Sequence, residues 1–244
     1  MLFRSALGKR LDLPVLTFHR YIKSTHKEFL EALYAEKPDK IIVFPLFPQF
    51  SYATTGSIAR WFSSHVSKEY VKKMRWIRSY PDHPGFIDCF SCLIREFLQE
   101  KGIEEEETAL LFSAHGVPVK FIKGGDTYQK ECESSFKAIR KHFPKAVSTL
   151  AFQSKFGRGE WLKPATEDLC KRPTEIFQGK KHAVFIPLSF SSDHIETLFE
   201  IEQLYVAPLL DLGFSAFRCP ALGRKEEWIE GGEKILQEIG RAHV

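Results

Sequence analysis

The chain has 244 residues, 43% hydrophobic and 27% charged, ordinary proportions for a globular protein with a sizeable core. A net charge of +4 with both signs interspersed argues against nucleic-acid binding, and no apolar run reaches the roughly 18–20 residues that span a bilayer. The opening stretch MLFRSALGKRLDLPV lacks the apolar core of a signal peptide. The expectation is a cytoplasmic protein, able to meet a membrane surface transiently, with its oligomeric state unreadable.

In chain order, residues 1–12 read as a helix fragment carried by Leu2, Leu7 and Leu11. Strand-like apolar runs follow at 14–18, 40–47, 75–80, 108–114, 146–152 and 183–189, with a shorter one at 215–218. Helical periodicity covers 25–35, 57–71, 85–100, 127–143, 193–209 and 226–239. This alternation predicts an α/β protein of two similar halves, each a small parallel sheet flanked by helices. A ligand cleft is expected between them at the carboxyl ends of the strands. Gly102 and the acidic run 104–107 mark a boundary between a lobe at 1–104 and a lobe at 105–244, whose last helix packs back on the first.

The five cysteines are too few, and odd in number, for a disulfide scaffold. Cys89 and Cys92 form one C-x-x-C in a segment of helical spacing, and two helix-face thiols are the favoured account. No G-x-G-x-x-G, Walker lysine motif or G-x-S-x-G elbow is present, which removes support for nucleotide-dependent and serine-hydrolase chemistry.

The unusual residues gather after the strands. His115-Gly116-Val117-Pro118 follows the run 108–114, and a histidine there is held on a rigid element at the cleft. A structural histidine is an equally good reading of that position alone. Asp193, Glu196 and Glu200 fall at i, i+3 and i+7 and would share one face of an α-helix. They form either an acidic, solvated first turn or a carboxylate ladder that moves protons or hydrated cations. Gln153 and Ser154 end a strand, and Trp161 is either a stacking platform or a core residue. Gln49 and Ser51 lead into Thr54–Ser57, a helix start suited to an anionic group or to ordinary capping.

Taken together these blocks resemble the ferrochelatases. Ser113-Ala114-His115-Gly116-Val117-Pro118 is similar to the family's S-A-H-x-x-P, and Ser192 through Glu200 to its S-D-H-I-E-T-L-x-E. Phe47 through Ser57, Gln153 through Gly157 with Trp161-Leu162, and Gly125 through Tyr128 resemble further blocks, in family order along nearly the whole chain. The resemblance implies two Rossmann-like lobes around a porphyrin cleft and the insertion of ferrous iron. It implies that His115 and Glu196 are the catalytic, metal-handling pair, facing each other across the porphyrin. Asp193, His194 and Glu200 would extend a proton or metal path, with His83 on the iron-entry side. Arg20 and Tyr21 resemble a pair near the substrate pocket, beside Gln49, Ser51, Gln153, Ser154 and Trp161.

Three departures accompany it. The N-L-G-G-P-like first strand and the lip segment are missing, so an N-terminally truncated first lobe is expected. The ladder stops at Leu204, where many members carry another acid. The tail has only Cys219, so no iron–sulfur cluster and no required cofactor are expected, iron being a substrate. Protoporphyrin IX is the favoured porphyrin. Coproporphyrin III, a cobalt or nickel chelatase, and a porphyrin- or haem-binding protein without catalysis stay open.

Overall fold

The computed structural model describes residues 2–242, with side chains over residues 3–238. β1 (Ile41–Val43) and β2 (Met74–Trp76) pair in parallel. β3 (Thr108–His115), β4 (Val147–Gln153), β5 (His182–Pro187) and β6 (Ser215–Arg218) form a second parallel sheet in the order β4-β3-β5-β6. This is a mixed α/β fold of parallel sheets flanked by helices. β3 is buried throughout Thr108–Ala114 because it is paired on both edges and covered on both faces, which is why its sequence reads as an unbroken apolar run. No helix among the described residues is long and apolar enough to cross a membrane.

Helix Pro84–Lys101 carries its own start and stop signals. The His83 ring accepts from the Gly85 amide at 3.0 Å, Pro84 opens the first turn, and Gly102 leaves it at φ +63°. Helix Glu226–Ala242 crosses it where Gly85 meets Gly231, so closely that a Cβ on Gly231 would lie 2.0 Å from the Gly85 carbonyl oxygen. Trp228 is buried there among Phe3, Phe44, Tyr80 and Phe86. Arg10 of helix Leu2–Leu11 reaches Glu226, Glu230 and Glu233 at 2.9, 3.2 and 2.5 Å.

Three expectations are corrected. Residues 14–18 form no strand; with no neighbour to pair with, Phe18 packs among Phe29, Trp61 and Phe62 instead. The single helix expected at 57–71 is two, Thr55–His65 and Lys68–Lys73, because Val66 is extended and the Ser67 hydroxyl caps the second by accepting from the Tyr70 amide. The third change matters most. The segment expected as an α-helix from 193 is a π-helix over Glu196–Val206, continued by a short α-helix, Ala207–Asp211.

Polar contacts join the strand-end loops. Ser51 Oγ and the Tyr52 amide donate to Asp126, the Phe50 amide to Glu131, and Gln49 Nε2 to Ser135. Ser191 Oγ donates to the Leu46 carbonyl. The carboxyl ends of β1, β3, β4 and β5 are thereby drawn toward one region.

Candidate active site

β3 ends on His115, whose main-chain N–H donates to Ser189 Oγ just beyond β5, at 2.8 Å. The next residue must be glycine: a Cβ on Gly116 would stand 2.8 Å from the Gln153 carbonyl and 3.5 Å from the Trp161 indole. His115 Nδ1 lies 2.6 Å from the Gly116 carbonyl oxygen, which can only accept, so Nδ1 carries the proton. In the neutral ring Nε2 is then a bare lone pair. It faces Glu196 Oε2 at 3.2 Å, with the two side chains 34% and 30% exposed and so reachable by a ligand. Two lone pairs at that distance repel unless a proton or a cation lies between them.

The two groups expected to work as a pair are thus brought into direct contact. The exposed Phe156 ring is tilted beside that histidine, with centroids 6.4 Å apart.

Beneath the pair lies a buried polar network. Ser113 Oγ donates to Gln153 Oε1 at 2.7 Å, with Thr166 at 2.9 Å from the same hydroxyl. Gln153 Nε2 donates to the Glu196 carbonyl at 2.8 Å and to Glu200 Oε2 at 3.0 Å. The Glu200 carboxylate also accepts from the Ser154 amide (2.7 Å), the Ser154 hydroxyl (2.5 Å) and the Tyr205 phenol (2.6 Å). Burial, and then the bond to Glu200, push the Tyr205 phenol well above its usual range, so it stays a donor.

Other predicted site residues are engaged with protein groups around and beyond this pair. Asp193 does not stand in line with Glu196 and Glu200; it accepts from Thr197 Oγ1 at 2.8 Å and pairs with Arg218 at 2.9 Å. Glu200 is saturated by the donors just described. His83 has one ring nitrogen on Gly85 and the other 3.0 Å from Glu238, so both are engaged outside the His115 cluster. Gln49, Ser51, Gln153 and Ser154 are buried and hydrogen-bonded to protein groups. Trp161 packs behind the His115 turn through a bridge between residues 161 and 118.

Arg20 donates to Ser57 at 3.0 Å and lies over the Tyr21 ring, whose hydroxyl donates to the Ala53 carbonyl. His194 is exposed, with Nδ1 accepting from the Glu196 amide at 3.2 Å. Tyr205 is the site residue that sequence spacing missed. Five residues beyond Glu200, it would lie about 140° away around an α-helix, and only the i→i+5 geometry of a π-helix brings it back.

Solved structures that this chain resembles include chelatases. SirB from Bacillus subtilis with Fe3+ superposes with a TM-score of 0.66 at 13% identity, covering 97% of this chain and 86% of its own. CbiX, described as the terminal enzyme of siroheme biosynthesis in denitrifying bacteria, gives 0.62 at 16% identity, covering 99% and 89%. These likenesses define the class by its architecture, a chelatase fold. The ferrochelatase family model matches residues 2–239. The ferrochelatase of Chlamydia caviae is 42% identical over 236 residues, 97% of this chain and 72% of the relative. That of Chlamydia pneumoniae is 42% identical over 232 residues, 95% and 69%. The chain belongs to the ferrochelatase family. It is a metal chelatase, and family membership implies a porphyrin and iron as its substrates.

Proposed function

We propose that the protein inserts ferrous iron into protoporphyrin IX to form haem, with His115 and Glu196 as the working pair. The observation that carries this is the 3.2 Å approach of His115 Nε2 to Glu196 Oε2 while Nδ1 is tied to the Gly116 carbonyl. Metal–ligand bonds of about 2.1 Å, as imidazole and carboxylate make to a divalent first-row cation, separate adjacent donors by about 3 Å. The pair is spaced to become two neighbouring ligands of one ion with little movement.

The proton balance follows from the same geometry. Transfer of a ferrous ion into the ring releases two pyrrole protons, which the vacated His115 Nε2 and Glu196 carboxylate can take up and pass to water, so each turnover releases two. The His115 and Glu196 side chains are themselves 34% and 30% exposed, so both protons can pass directly to solvent. The choice of protoporphyrin IX over coproporphyrin III rests on the resemblance of the sequence blocks to the protoporphyrin branch of the family.

The reading uses no resident cofactor and no iron–sulfur cluster. Anaerobic assay with ferrous iron against protoporphyrin IX and coproporphyrin III tests the proposal. Turnover of protoporphyrin is expected. Preferred turnover of coproporphyrin, or of cobalt or nickel over iron, would reassign the substrate. Stoichiometric porphyrin binding without turnover would remove the catalytic reading.

A further inference from the structure

We propose that Glu200 and Tyr205 are positioning residues, which act through Gln153 to set where Glu196 stands against His115 and do not themselves carry metal or protons. The inference rests on the reading of His115 and Glu196 as the insertion pair.

Saturation of the Glu200 carboxylate is the first argument. Oε1 takes the Ser154 amide and the Tyr205 hydroxyl, and Oε2 takes the Ser154 hydroxyl and Gln153 Nε2. A cation could be bound there only by giving up donors already in place, in a site where the Ser154 and Tyr205 side chains are nearly excluded from water.

Connection is the second. The Gln153 amide group that holds Glu200 also holds the Glu196 carbonyl, and its oxygen is held by Ser113, two residues before His115. One side chain of β4 thus couples the end of β3 to the π-helix, the two elements that carry the pair. Helix type is the third argument. Glu200 and Tyr205 close a bond across five residues, a span that matches one π turn and not an α turn. The clasp holds the segment in the register that aims Glu196 at His115. Leu204, one turn beyond Glu200, is half exposed.

Tyr205→Phe is the cleanest variant, because the ring stays packed against Phe185 and only the hydroxyl is lost. Iron insertion is measured for Tyr205→Phe, Glu200→Gln and the double variant. The expected kcat falls about tenfold in Tyr205→Phe and up to about a hundredfold in Glu200→Gln, the scale of a misplaced reacting group. KM for ferrous iron stays within about twofold, and the double variant is no worse than Glu200→Gln alone, as for two residues acting as one unit. Wild-type kcat in Tyr205→Phe, or a raised metal KM with kcat intact in Glu200→Gln, overturns the proposal in favour of a metal carrier. A lower melting temperature with unchanged turnover per folded molecule also overturns it.

The visible absorption of Co2+ added alone gives a readout independent of turnover. It is expected to disappear in His115→Ala and to shift in both Tyr205→Phe and Glu200→Gln. An unchanged spectrum in Tyr205→Phe sinks the positioning claim, whereas absence of insertion by the wild type sinks the functional reading instead.

Discussion

Glu196 and Glu200 lie four residues apart on one helix and do opposite things. Glu196 is nearly a third exposed, and its carboxylate meets an imidazole that has no proton to give in its neutral form. Glu200 takes four hydrogen bonds from Gln153, Ser154 and Tyr205. The first is chemically unsatisfied and accessible, the condition for exchanging a proton for a metal ion. The second is satisfied, the condition for holding shape. Residue type does not separate them; the count of donors around each carboxylate does.

The contrast can be broken most sharply at the unsatisfied end. His115→Ala is expected to lower insertion by about a thousandfold, within the range for loss of a general base, while porphyrin binding, followed by fluorescence quenching, persists. Glu196→Gln keeps the shape and removes the charge; a kcat loss of about a hundredfold is expected. Glu200→Gln and Tyr205→Phe come next, with the split between kcat and KM already described.

Away from both carboxylates, Gly231→Ala forces the two helices apart at Gly85, at a cost of about 1–3 kcal/mol. That lowers the melting temperature by about 2–4 °C for each kcal/mol in a chain of this size, with turnover per folded molecule unchanged. The smallest effect concerns the thiols. Burial pushes the Cys89 thiol up to about 12, so the thiolate is scarce at pH 8 and grows only as the pH approaches that value. Mass spectrometry after brief alkylation at pH 8 is expected to find Cys89 labelled only in unfolded protein.

The sheets were legible because β3 and β5 are buried runs, and a buried parallel strand has to be apolar on both faces. Residues 14–18 carry a similar apolar pattern but have no strand to pair with, a fact of tertiary structure that no local pattern contains. His115 and Glu196 were even or unfavourable candidates by spacing, and the ordered blocks of the family singled them out. What spacing misjudged was the helix. Counting at 3.6 residues per turn aligned Asp193 with Glu200 and left Tyr205 on another face, whereas the π register pairs Glu200 with Tyr205, and Asp193 turns to Arg218. Gln49, Ser51, Gln153 and Ser154 enter as substrate contacts through the family resemblance; in the structure all four are buried, Gln153 and Ser154 bonded to Glu200, and Gln49 and Ser51 to Ser135 and Asp126.

The most direct test of the account compares wild type with His115→Ala under anaerobic conditions, with ferrous iron and protoporphyrin IX, following loss of the free porphyrin spectrum. The account predicts multiple turnovers by the wild type and porphyrin binding without insertion by His115→Ala. Substantial insertion by His115→Ala, or binding without turnover by the wild type, would contradict it.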